Sequence, residues 1–392
     1  MKRRKPLIST LVLFTKPAIL KAKRNLFFFL LIAASAYAQS TFDYYTYKNT
    51  SLDVVTNPAS IVMGESFVAN RNSISSFIEN PANLSGQSKT GLFYNIRFHD
   101  WAEHANKFQF TSAGAILNAS FATIGIAYNQ FTSGPIPMNL ALADYNTEES
   151  NQTLSVSFSA PLAENLTLGL SVKAFGHSRT SSIGSATGLD SKSAFLLDIG
   201  ALYSIGLSDK ETKFAYNLNL GAVFQNVGTD YKEKDDIFGN DYRFVRLPRY
   251  FKFGFAFNSQ VRNASGSNDI EATLTGQYKW LTNPQSEEVS NVDYWGGGAE
   301  FTIKEIFVAR AGFFQTPEYW LIYERAKPLF RYGFGVKIPL QKIGINLPFV
   351  ILADYSFIPI NDVSLSTMNG QADSKKLLRA IGISLQFGSS LF

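Results

Sequence analysis

The segment HDWAEH, residues 99–104, places His99, Asp100, Glu103 and His104 within six positions. All four are metal-capable types. Their spacing does not match H-E-x-x-H, in which two histidines four apart share one helix face with a glutamate between them. Nor does it match a known barrel enzyme, and a solvated loop is the better reading. The third histidine, His177, has no nucleophile or orienting acid identifiable around it, so no triad can be assembled. Gly296-Gly297-Gly298 lies inside a strand-like stretch rather than opening a helix, which favours close packing against the N-terminal segment over phosphate binding. Cysteine is absent, which removes disulfides, thiolate metal sites and a lipoprotein anchor. These residues therefore give no catalytic centre, no metal and no cofactor, and the chain reads as a non-enzyme. One pair remains: Lys173 and Asp198 fall on the same parity of neighbouring strand-like segments, at similar distances from the stretch between them. An internal ion pair bracing a narrow lumen is the first reading, and a polar gate for a solute the second.

The elements that would hold such a pair are strands. Phe214, Tyr216, Leu218, Leu220, Ala222 and Phe224 alternate with Ala215, Asn217, Asn219, Gly221, Val223 and Gln225, a period of two. Phe251, Phe253, Phe255 and Phe257 repeat the pattern against Lys252, Gly254 and Ala256. Fourteen such segments follow one another, at 89–98, 106–117, 120–132, 151–160, 165–179, 192–206, 213–227, 249–261, 268–281, 292–303, 306–316, 330–340, 349–360 and 376–387. Most are near ten residues, the length a tilted strand needs to cross a bilayer. The connections alternate in length. Those at 99–105, 133–150, 180–191, 228–248, 282–291, 317–329 and 361–378 are mostly long and polar, and those between them are short. A transmembrane antiparallel β-barrel of about 14 strands sorts its loops in this way, and a soluble sandwich has no reason to. The final stretch, RAIGISLQFGSSLF, ends on an alternating apolar strand. In a closed barrel that strand pairs with the first, and Phe387 or Phe392 is positioned as the aromatic signal read by the barrel-insertion machinery. The tryptophans at 101, 280, 295 and 320 lie in or beside the long connections, as interfacial aromatics do.

Residues 1–38 have a basic start, an apolar run from Leu26 to Ala34 and the A-x-A site Ala36-Tyr37-Ala38, a secretory signal peptide cleaved before Gln39. The apolar run is too short for a transmembrane anchor. Eight of the 36 basic residues and no acidic ones lie there, so the remainder carries 28 basic against 31 acidic residues, net −3. The basic character belongs mostly to the signal, and no nucleic-acid partner follows from it. The expected organisation is a signal peptide at 1–38, an N-terminal segment or plug at 39–88 and an outer-membrane barrel at 89–392 of a Gram-negative bacterium.

Residues 57–86, NPASIVMGESFVANRNSISSFIENPANLSG, resemble the N-terminal signature of the PorV/PorQ family of FadL-like barrels through Met63, Gly64, Phe67, Val68, Ala69, Asn80, Pro81, Ala82 and Leu84. Glu65 and Asn83 stand where the family has glycines. LTLGLSVKAFG (166–176), RLPRYFKFGFAF (246–257), GGGAEFTIKEIFVARAGF (296–313) and LADYSFIPI (352–360) continue the resemblance in order. It implies a fourteen-stranded outer-membrane barrel, type IX secretion, and partners among outer-membrane translocon or exported cargo proteins. Proline donates no hydrogen bond and restricts its predecessor, so Asn80-Pro81-Ala82 is a tight turn, either purely structural or closing a plug at the periplasmic mouth. Loop 228–248 mixes charge with Phe238, Tyr242 and Phe244, aromatic anchors suited to a protein partner. The expected function is a secretion-system accessory that binds proteins through its extracellular loops; the alternative is a FadL-like channel for hydrophobic small molecules. A lumen filled by side chains and by residues 41–88 favours the first, and a wide apolar lumen with a lateral gap favours the second.

Overall fold

The computed structural model describes residues 52, 54–85, 90–99, 108–118, 122–133, 136–140, 143–183, 186–208, 213–234, 242–262, 268–282, 293–315, 328–360 and 376–387. The signal-peptide expectation, the HDWAEH residues after His99, Phe238 and Phe392 lie outside the described residues.

The described residues form seventeen strands, in chain order: β1 (Thr90–His99), β2 (Phe108–Asn118), β3 (Thr123–Thr132), β4 (Ile136–Leu140), β5 (Ala143–Ala163), β6 (Leu166–Ile183), β7 (Ala186–Gly206), β8 (Phe214–Gly228), β9 (Tyr231–Lys234), β10 (Tyr242–Val245), β11 (Tyr250–Arg262), β12 (Asn268–Leu281), β13 (Asp293–Ile303), β14 (Phe307–Gln315), β15 (Pro328–Pro339), β16 (Phe349–Ile360) and β17 (Lys376–Phe387). Fourteen form the wall. Each pairs antiparallel with its neighbours, and β1 closes the ring on β17, from Thr90 opposite Phe387 to Phe98 opposite Arg379. The remaining three are additions: β4 extends the sheet from the end of β5, while β9 and β10 form a separate hairpin.

The wall follows the alternation in the sequence. Leu92, Tyr94, Leu154, Phe158, Leu168, Leu170, Ile381 and Ile383 are exposed on the outside, and their alternate neighbours Asn95, Ser157, Ser171 and Ser384 are buried inside. This is a soluble fold turned inside out, as a lipid-solvated barrel must be. Trp280 and Trp295 are half-exposed near the ends of β12 and β13, the place of an interfacial aromatic girdle.

Two of the expected long polar loops are largely sheet. The 133–150 stretch carries β4 and the start of β5, and 180–191 is mostly β6 and β7 running on in register from Leu166 opposite Tyr203 to Ile183 opposite Ala186. A hairpin continues beyond the bilayer wherever cross-strand pairing still outweighs solvation, and polar residues in that part hide the strand signal. Stretch 228–248 is also not a plain loop, because it contains β9 and β10.

Inside the ring lies the N-terminal segment. It comprises a short helix, α1 (Pro58–Val62), and two 3-10 turns at Ile74–Ile78 and Pro81–Leu84, nearly all of it buried. Asn57 caps α1 through a bond from Ala59 N at 3.1 Å, with Pro58 at the first helical position, where its missing N–H costs nothing.

The mature protein is expected to fractionate with the outer membrane and to migrate in a heat-modifiable way on gels. Phe387→Ala combined with deletion of 388–392 should lower the folded fraction, and recovery of soluble periplasmic protein would contradict the barrel.

Candidate functional site

The candidate site is the lumen and the segment that occupies it. Val62, Met63, Phe67, Val68, Ala69, Ala82 and Leu84 are at most 1% exposed. The segment fills the lumen rather than resting at its mouth. Its fit depends on wall glycines. Gly64 has φ +68, and a Cβ at Gly296 would collide with its carbonyl oxygen; one at Gly298 would meet Met63 Cα, one at Gly221 the Val68 carbonyl and one at Gly169 the Ala82 amide. Gly296 and Gly298 therefore pack against the N-terminal segment.

Wall side chains then satisfy its backbone, as buried polar groups require. Gln277 accepts from Val68 N at 3.0 Å, and Gln225 donates to the carbonyls of Ile78 (3.2 Å) and Glu79 (3.0 Å). Arg331 donates to the Ile61 carbonyl and Arg97 to that of Val55, both at 2.9 Å. Asn80 caps the last 3-10 turn by accepting from Ala82 N at 3.1 Å, and its amide donates to the carbonyls of Val68 (2.7 Å) and Ala201 (3.2 Å). The Asn80-Pro81-Ala82 turn thus fastens the segment both to itself and to β7.

Among the described residues, three charged clusters line the inside of the barrel. Arg310 bridges Glu300 and Asp354, each at 2.6 Å. Glu65, at φ 57, accepts from Arg331 at 3.1 Å and lies 3.5 Å from Arg97. Burial alone would push its carboxyl up, but the two guanidiniums outweigh that and hold it below the usual carboxylate range. The third cluster contains Lys173 and Asp198, 2.6 Å apart and almost fully buried. Asn226, at φ 62, joins them: its N–H donates to Asp198 at 2.8 Å, its side-chain oxygen accepts from Lys173 at 3.0 Å, and its amide donates to the Pro248 carbonyl at 2.9 Å. The register of β7 against β8 shifts at this point, a bulge that re-aims side chains.

The Lys173 cluster sits beneath the β9–β10 hairpin. Tyr231 stacks on Phe175 and His177, with centroids 6.3 and 5.7 Å away, and Leu247 is fully buried. Leu247 N donates to Asp230, which also pairs with Arg249 at 3.1 Å. Both ends of stretch 228–248 therefore turn into the lumen as a roof. Tyr242 and Phe244 lie on β10. His177 is within the wall, 2.6 Å from Asn151. No group of three metal-capable side chains forms among the described residues.

Sequence reasoning passed over Asn226, Glu65, Arg331, Glu300, Arg310 and Asp354. The last three share the parity of buried neighbours in β13, β14 and β16, so charged residues at lumen parity were the available signal. Asn226 gave none, because its role follows from a bulge.

No family model and no curated protein matches the chain. Solved structures do match in shape. One titled TodX deltaS2S3 mutant monoaromatic hydrocarbon channel shares 12% identity with a TM-score of 0.51, covering 86% of this chain and 100% of that one. The CymD monoaromatic hydrocarbon channel gives 12%, 0.47, 85% and 97%, and a Pseudomonas aeruginosa FadL homologue 11%, 0.45, 85% and 98%.

Breaking one partner of the Lys173–Asp198 pair should be far worse than removing both. Asp198→Ala is expected to cost roughly 3–5 kcal/mol in urea unfolding, with much of that recovered in Lys173→Met/Asp198→Ala. Additive losses in the double-mutant cycle would show the pair to be energetically uncoupled. In its closed antiparallel ring of fourteen strands, this chain has the fold of the FadL-like outer-membrane barrels.

Proposed function

We propose that this barrel is a non-enzymatic accessory of a protein-export apparatus, of the type IX kind, and binds translocon or cargo proteins at its outer face. The filled lumen carries this reading. Residues 54–85 occupy it in contact with glycine backbone, wall side chains satisfy the backbone of the segment, and Glu65 of the segment is paired with wall arginines. A molecule cannot cross such a barrel without first expelling a segment held by buried ion pairs, whose disruption is costly. The resemblance of Met63 to Leu84 to the PorV/PorQ signature supports the same reading, since those residues build the plug. Function is then left to the outer face, where Tyr242 and Phe244 lie on a hairpin whose ends are anchored in the wall.

A second reading, a channel for small hydrophobic molecules, is favoured by the likeness in fold, because two of the neighbours above are titled hydrocarbon channels. On that evidence alone it is the better supported of the two. A likeness at 12% identity concerns the fold, however, and the contents of the lumen favour the first reading: β3 pairs along its whole length with both β2 and β5, and the described wall strands show no lateral gap beside it.

Replacing Phe238, Tyr242 and Phe244 with serine should abolish co-purification of a partner outer-membrane protein in mild detergent while leaving the barrel inserted and heat-modifiable. Retained partners together with lost uptake of an apolar compound would replace the secretion reading with the channel.

A further inference from the structure

The short turns at one rim of the barrel carry apolar side chains, where a turn in water is normally polar. Ile343, Ile345 and Leu347, between β15 and β16, are 60, 44 and 44% exposed, and Leu207, between β7 and β8, is 53% exposed. Short turns belong to the periplasmic rim of such a barrel. The stretch 340–348 has a fixed shape. Leu340–Ile343 forms a 3-10 turn, and Gly344 ends it at φ +87, in the left-handed region that glycine adopts without strain. The N–H groups of Gly344 and Ile345 donate to the carbonyls of Gln341 (3.3 Å) and Leu340 (3.0 Å). Lys342 donates to Glu305 at 2.9 Å, and Glu305 also accepts from Asn268 N at 3.0 Å. The turn is thereby fastened to its neighbours on the rim while its three aliphatic side chains stay uncovered.

Two observations indicate what covers them. The first is continuity with the lipid-facing wall. Phe349 follows the turn directly and packs edge-on against Phe387, with centroids 4.9 Å apart. Phe387 has the outward parity of Ile381 and Ile383, and Ile303 and Phe307, opposite each other on the next hairpin, are exposed as well. The second is distribution. Six wall strands, β8 and β11 to β15, separate the Leu207 turn from the 340–348 turn in one direction, and the remaining eight separate them in the other. The two turns are on nearly opposite sides of the ring. A protein partner docks on one contiguous patch, whereas a lipid leaflet surrounds the ring and meets both turns at once.

We propose that the short-turn rim is embedded in a phospholipid leaflet, with turn 340–348 as an interfacial anchor. Ile343, Ile345 and Leu347 enter the boundary between headgroups and acyl chains, a layer about 5–10 Å deep for an apolar face of this kind. Lys342 and Lys304 lie at headgroup level, paired with Glu305 and Asp269 at 2.9 and 2.8 Å. Those charges are neutralised within the protein, so the attraction is apolar and needs no anionic lipid. The anchor goes beyond the proposed secretion role and does not depend on it.

The chain has no cysteine, so a nitroxide label can be placed at one chosen position. Ile345→Cys, Leu347→Cys and Leu207→Cys are labelled singly, checked for folding by heat-modifiability and reconstituted into phosphatidylcholine vesicles. Electron paramagnetic resonance then compares relaxation by oxygen, which concentrates among acyl chains, with relaxation by a water-soluble nickel chelate. Oxygen should outweigh the chelate severalfold at all three positions, and replacing part of the phosphatidylcholine with phosphatidylglycerol should leave the ratios unchanged. The proposal is overturned by a label at 345, 347 or 207 that the chelate reaches more readily. It is equally overturned by labels screened from both reagents, which would put a second copy of the chain on the rim, or by ratios that favour oxygen only when phosphatidylglycerol is present.

Discussion

Everything in this molecule follows from the closure of the sheet. A strand in hydrocarbon must have every N–H and C=O paired within the protein, so an open edge is not tolerated. The pairing of β1 with β17 meets that demand. It joins the two ends of the wall, and the ring exists only when the last strand has been made. The same closure inverts the usual placement of residues. Phenylalanine and leucine face lipid, and lysine, arginine and glutamate are left to an enclosed space. A ring of fourteen strands is too wide for its own side chains to fill, so something else has to occupy the middle.

The N-terminal segment is that filling, and two kinds of contact hold it. Glycines in β6, β8 and β13 let backbone approach backbone so closely that even an alanine would collide, which gives shape complementarity without side chains. Buried ionic and amide groups then supply what a backbone lacking sheet partners cannot provide for itself: Gln225, Gln277, Arg97 and Arg331 each reach inward to a main-chain atom of the segment. Charge and hydrogen bonding here are compensation for burial as much as net attraction. The outer hairpin β9–β10 repeats the principle, since Tyr231 and Leu247 anchor it to the wall.

The wall was readable from the sequence because its alternation is a direct consequence of lipid on one side. All fourteen wall strands lie where the period of two places them, with β12, β16 and β17 at the same bounds. The extensions of β5, β6 and β7 were not readable, since their residues are mostly polar and the alternation of apolar and polar types fades there. Lys173 and Asp198 could be paired by parity and height alone, and the structure brings them to 2.6 Å. Asn226 could not, because its place in that cluster depends on a bulge and on a positive φ. Glu65 is similar: its backbone is left-handed, and the sequence marks that turn only through the resemblance, which has glycine at this position and gives no hint of the pairing with Arg331 and Arg97.

A sealed barrel whose plug is part of its structure is the central claim, and single-channel recording in planar bilayers tests it most directly. The purified mature protein is expected to add no steady conductance, whereas a variant in which residues 54–85 are replaced by a short flexible linker should open a large, stable pore. A wild-type protein that conducts steadily, or a plugless ring that stays closed, would contradict the account.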